Sequence, residues 1–176
     1  MNDTSPDFTH DHDRSDATER PGVVVLAALV ALILGLGSAM GLLFPPDDWY
    51  TATLLKPTWN PPSWLFGPVW TALYVMMATA LWLVLRETYQ TPEGRVRPVG
   101  LFLVQFVLNL AWTPLFFGMH SPMLAFVDIC ALWVATLATA LAFGKIRTLA
   151  AYLLVPYLLW ISFALVLNGT IWLMNL

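Results

Sequence analysis

The sequence predicts an all-α integral membrane protein, a bundle of five transmembrane helices. Two observations carry that reading. Of 176 residues, 59% are hydrophobic and only 11% are charged, and the mean hydropathy is +0.70. A soluble domain ordinarily carries about 25% charged residues. In addition, five apolar runs follow one another, each near the ~20 residues that take a helix across a bilayer. No strand-like alternation of polarity accompanies them, so each span must satisfy its backbone within its own helix.

The elements follow in order. Residues 1–21, "MNDTSPDFTHDHDRSDATERP", hold six acidic residues and almost nothing to bury. They read as a disordered acidic tail, ahead of a transmembrane domain over residues 22–176. His10 and His12 in the tail form an isolated pair without further ligands at zinc-like spacing, and no metal is expected. The tail is net acidic where a signal peptide would be basic, so the first run is kept as a span despite "GSA" at 37–39. The spans are read as Val23–Phe44, Trp64–Leu85, Val99–Gly118, Met123–Gly144 and Leu149–Met174. Internal repeats of the kind that build paired-half transporters are not apparent. Cys130, the single cysteine, lies within an apolar run and cannot form an intrachain disulfide.

Charge asymmetry sets an orientation. The tail and the second and fourth loops carry Arg14, Arg20, Arg86, Arg95, Arg97, Lys145 and Arg147, whereas the opposite side carries Lys56 alone. In an inner or plasma membrane this places the N-terminus in the cytoplasm. The partners expected are membrane lipid and a small ligand, not nucleic acid.

The side opposite the tail holds the long loop Pro45–Pro61 and a short one at His120–Ser121. Pro45, Pro46, Pro57, Pro61 and Pro62 each fix φ and remove a donor, so the loop is stiff. Trp49, Tyr50, Trp59 and Trp64 suit the headgroup level, and an interfacial belt alone would account for them. Three spans add a further pattern. Phe66, Trp70, Tyr74 and Met77 share one helical face of the second span. Gln105, Asn109, Trp112 and Phe116 do so in the third, and Tyr157, Trp160, Ala164 and Asn168 in the fifth. Each face mixes aromatic rings with uncharged polar groups. Interhelical packing explains each one singly; together they describe an aromatic cavity with a few fixed polar groups.

The stretches "WY" at 49–50, "KPTWNPPSWLFGPVWTALY" at 56–74, "NLAWTPLFFG" at 109–118 and "VPYLLWISFALVLN" at 155–168 resemble the TspO/MBR family, the tryptophan-rich sensory proteins related to the mitochondrial translocator protein. The resemblance spans about residues 22 to 175. It implies a five-helix membrane protein, commonly a homodimer, that binds tetrapyrroles such as protoporphyrin IX and haem, with links to sterols and to light-dependent porphyrin breakdown. It also implies a pocket under the first loop lined by Trp49, Tyr50, Trp59, Trp70, Asn109, Trp112, Phe116, Trp160 and Ala164. On that reading the loop is a lid, and Lys56 is either a partner for a porphyrin propionate or a headgroup anchor. Porphyrin or haem is then a ligand; no obligatory cofactor is implied.

One departure from the family pattern concerns sterols. In "ALVLNGTIWLMN", Gly169 and Leu173 stand where animal members carry a Tyr and a basic residue, which puts sterol binding in doubt. Classical catalysis has little support: no nucleophile sits at a meaningful spacing from a base, and only His120 lies outside the tail. If porphyrin is degraded, light and oxygen supply the reactivity, with Trp70 and Trp160 as candidate photochemical residues.

Two further features need an account. Asp128, an acid inside a span, is expected to hydrogen-bond a neighbouring helix, with proton transfer or ligand contact as alternatives. Gly37 and Gly41 form a G-x-x-x-G that permits close helix approach. It is the expected dimer face, with Ala135, Ala138 and Ala142 as the alternative seam.

Overall fold

The computed structural model describes residues 21–176; the acidic tail, with His10, His12, Arg14 and Arg20, lies outside them. Five long helices account for most of the described chain: α1 (Val23–Leu43), α2 (Phe66–Glu87), α3 (Pro92–Thr113), α4 (Pro122–Gly144) and α5 (Thr148–Met174). They run from 21 to 27 residues, about 30 to 40 Å at 1.5 Å per residue, and all five are long and apolar enough to cross a membrane.

Their ends follow local chemistry. At α4, Ser121 Oγ accepts from the Leu124 N–H at 3.3 Å and Pro122 takes the first helical position, where a missing N–H costs nothing. α3 starts at Pro92, seven residues before the apolar run does, because hydropathy marks only the part that sits in hydrocarbon. The polar segment ahead of it is also helical, opened by Pro92 with Glu93 in the first turn, where an acid suits the helix dipole. α3 ends where Pro114 cannot continue the ladder. The chain widens there into a π-type turn over Pro114–Gly118, closed by Met119 N–H to Pro114 O at 2.8 Å.

Around the bundle, α1 packs on α2, α2 on α5, α5 on α4, α4 on α3, and α3 back on α1. The end that carries the α2–α3 and α4–α5 loops is solid. Met77, Ala78 and Val84 of α2 are fully buried, as are Phe143 of α4 and Leu154 of α5, and the Phe102 and Phe143 rings lie parallel at 6.1 Å. α1 buries only Ile33. It is apolar all round because most of its surface meets lipid.

Gly37 and Gly41 differ in their surroundings. A β-carbon on Gly37 would fall inside the ring of Tyr74, and both glycines line an internal cavity. At Gly37 the close approach that the motif permits is made within the chain, between α1 and α2, whereas Gly41 stays exposed with nothing within 4 Å of its β-carbon position.

Candidate functional site

The other end of the bundle is hollow. A cavity of about 380 Å³ opens between the five helices beneath the α1–α2 loop, within the size range of small-molecule sites. Proline spacing explains the covering loop. Pro57, Pro61 and Pro62 fix its course through two tight turns, with Asn60 N–H donating to Pro57 O and Leu65 N–H to Pro62 O, both at 3.0 Å. Trp49–Thr53 forms a wide π-type turn within it, and Leu54 plugs inward against Phe116, Ala125, Leu167 and Ile171.

Of the residues singled out in the sequence, Tyr50, Trp70, Tyr74 and Asn109 line the cavity, and so do Trp112, Phe116, Trp160 and Ala164. The three spacings on α2, α3 and α5 converge on one space. Trp112 and Phe116 lie nearly parallel, 4.9 Å between centroids and 16° between planes, while Trp70 and Trp160 meet edge to face at 6.5 Å.

The polar groups are fixed by one another. Tyr74 Oη donates to Asn109 Oδ1 at 3.0 Å, and Asn109 Nδ2 donates to the Tyr157 hydroxyl at 2.9 Å, so one amide joins α2, α3 and α5. Trp112 Nε1 donates to Asn168 Oδ1 at 3.0 Å, and Asn168 Nδ2 donates to Pro122 O at 2.8 Å. Among the described residues, no Asp, Glu, Lys, Arg or His lines the cavity.

Trp49, Trp59, Lys56 and Gln105, expected at the ligand, lie off the wall. Trp49 backs it, its ring 5.8 Å from that of Phe116. Trp59 packs on the outer face of Phe163 and stays exposed. Lys56 folds onto Tyr50, its ammonium donating to the Tyr50 carbonyl and lying 4.3 Å above the ring centre. Gln105, one turn below Asn109, is fully buried, and neither of its side-chain polar atoms finds a partner among the described residues.

Asp128 is also off the wall. Its Oδ2 is buried without a hydrogen-bond partner among the described residues, so the expected bond to a neighbouring helix is not formed by that oxygen. Sequence reasoning missed the α1 contribution, Leu34, Gly37, Ser38 and Gly41. The four-residue spacing of the glycines carried that signal, but it reads equally well as a helix-pairing motif.

At the rim the two loops meet in a contact that no local sequence pattern predicts. Asp47 Oδ2 lies 2.9 Å from His120 Nε2, and Oδ1 accepts from Tyr50 N–H at 3.3 Å. Desolvation pushes the Asp47 carboxyl up, but the Tyr50 N–H and the His120 ring outweigh it and hold the group below the usual carboxylate range. The Trp49 ring stacks on His120 at 4.6 Å.

Fold and site together define a multi-pass helical membrane protein with an aromatic-walled cavity at one end of its bundle. The chain belongs to the TspO/MBR family, whose model matches residues 25–173. It is 48% identical over 154 residues to the tryptophan-rich protein TspO of Chlorobaculum tepidum, covering 87% of this chain and 97% of that one. It is 44% identical over 124 residues to the human translocator protein, covering 70% of this chain and 73% of the relative. With the tryptophan-rich sensory protein of Cereibacter sphaeroides it shares 38% identity over 134 residues, 76% of this chain and 81% of that one.

Proposed function

We propose that this protein is a membrane receptor that takes a flat tetrapyrrole, protoporphyrin IX above all, into the cavity beneath the lid and so senses or disposes of porphyrin. The observation that carries this reading is the wall itself: parallel Trp112 and Phe116, with Trp70 and Trp160 also on the lining, and no charged side chain among the described lining residues. A planar π-system stacks on such rings. An ionised carboxylate has no counter-charge in that interior and would stay at the wet rim.

No His, Cys or Met lines the cavity among the described residues, and of the two lining tyrosines the Tyr74 hydroxyl already donates to Asn109, which leaves Tyr50 alone as a group that iron could take. Metal-free porphyrin therefore suits the lining better than haem, whose iron is usually held by such groups. Light-dependent degradation is the second reading, favoured by the contact of Trp70 with Trp160. A lipid or sterol translocator remains the third, weakened by Gly169 and Leu173 in the last span.

Titration of the purified protein with protoporphyrin IX, haem and a sterol tests the proposal. Saturable quenching of tryptophan fluorescence by protoporphyrin IX, weakened in Trp70→Phe and Trp160→Phe, is expected. Unchanged binding in both variants would remove the ligand from this cavity.

A further inference from the structure

We propose that the lid is a gate with one titratable latch and one fixed hinge, and that protonation of His120 holds it shut. Two tethers of different chemistry hold the segment 47–55. At its start, Asp47 pairs with His120 at 2.9 Å across the gap between the α1–α2 and α3–α4 loops. At its end, the Asn175 side chain reads both backbone groups of Leu55: Leu55 N–H donates to Asn175 Oδ1 at 3.0 Å, and Asn175 Nδ2 donates to Leu55 O at 2.9 Å. Between the tethers sit Tyr50, on the cavity wall, and Leu54, buried beneath the loop.

A carboxamide does not titrate, so the Asn175 tether has the same strength at every physiological pH. The imidazole–carboxylate pair does titrate. His120 is also pinned for the contact. Its backbone holds φ 51°, a left-handed conformation uncommon outside glycine. Met119 N–H to Pro114 O and Ser121 N–H to Leu115 O fix the residues on either side, and Trp49 covers the ring.

The charged surroundings are sparse. On the lid segment, Asp47 and Asp48 are the acids and Lys56 the cation, and Lys56 is bound to the Tyr50 carbonyl. The turn Pro114–Gly118 holds no ionisable residue, nor does α4 before Asp128, nor the last turns of α5. Protonation of His120 therefore adds a positive charge facing acids.

The sign follows. An imidazolium donates to the Asp47 carboxylate with full charge assistance. On deprotonation the charge is lost, and in one neutral tautomer Nε2 has no proton to give. A group that gains a partner in the closed state stabilises that state below its own titration and releases it above. The lid is therefore tightest where the imidazole is protonated and loosens as that proton leaves toward alkaline pH. Protonation of Asp47 would release the latch only at pH below the usual carboxylate range. Both partners are substantially exposed, which limits the effect to about two- to fivefold in lid opening.

The gate has its use because the cavity holds a ligand, so it rests on the reading above, but its first test needs none. Backbone hydrogen exchange of residues 50–55, corrected for intrinsic rates, would be followed on the empty full-length protein in lipid nanodiscs from about pH 5.5 to pH 8. Protection should fall about threefold across that range. The fall should vanish in His120→Asn, chosen because asparagine tolerates the left-handed backbone, and in Asp47→Asn. Asn175→Ala should lower protection at all pH values without altering the slope. The same pH dependence in His120→Asn or Asp47→Asn would overturn the latch. Dissociation of protoporphyrin IX dimethyl ester, which carries no titrating carboxylate, should track the same slope. A pH-dependent lid with no ester bound would remove the ligand reading and leave the latch standing.

Discussion

The ring of Tyr74 lies directly over the bare Cα of Gly37, and the same Tyr74 hydroxyl donates to Asn109 at 3.0 Å. A single methyl on Gly37 must therefore displace the ring that closes the polar floor of the cavity. Overpacking of this kind costs about 1–3 kcal/mol. Gly37→Ala should lower the thermal midpoint in detergent and weaken ligand binding together. Gly41→Ala, whose β-carbon meets nothing within 4 Å, should leave the midpoint unchanged.

Asn109 joins three helices through two hydrogen bonds. Asn109→Leu leaves the Tyr74 and Tyr157 hydroxyls without that partner inside the bundle, and the expected cost is about 0.6–1.7 kcal/mol per bond lost. Denaturation of the variant beside Tyr74→Phe and the double variant would form a cycle. Additive losses would show that the two residues do not act through their shared bond.

Proline spacing in the lid should matter through stiffness. Replacing Pro57, Pro61 and Pro62 together by Ala leaves the five helices untouched but frees the loop, which then loses more entropy on closing over a ligand. Stopped-flow release of protoporphyrin IX should be faster in this variant, with helicity unchanged. Unchanged rates would reduce the loop to an interfacial belt.

Lys56 should act through the lid and not through ligand carboxylates. Its ammonium is bound to the Tyr50 carbonyl and lies over the Tyr50 ring. Lys56→Gln should accelerate release of the free-acid porphyrin and its dimethyl ester by the same factor. A loss confined to the free acid would return Lys56 to the role of propionate partner.

A homodimer is expected to use the α4 seam, because Gly37 is covered by Tyr74 inside the chain. Cross-linking yield in native membranes should drop in Ala138→Leu, Ala142→Leu and stay level in Gly41→Leu. The reverse pattern would restore α1 as the dimer face.

Much of this architecture is legible because the bilayer imposes a simple code. Length and apolarity mark the five spans. The shared faces of α2, α3 and α5 already named Trp70, Tyr74, Asn109, Trp112 and Trp160, since a four-residue spacing fixes a face without tertiary knowledge. Other features depend on which helices become neighbours. Gln105 has the same spacing as Asn109, yet it falls one turn below the cavity into a sealed layer. Asp47 and His120 are 73 residues apart, and no local pattern could pair them. The start of α3 was hidden for another reason: helix and hydrocarbon end at different places.

The thinness of α1 as a wall has a consequence of its own. This helix buries one residue, Ile33, yet gives Gly37, Ser38 and Gly41 to the cavity lining. Of the five helices it is the least embedded, so a ligand dissolved in lipid would reach the lidded mouth of the cavity beside it. A molecule entering there comes from the acyl chains and never crosses the aqueous phase. Its occupancy would then follow its mole fraction in lipid, so adding empty bilayer at constant total ligand would unload the protein.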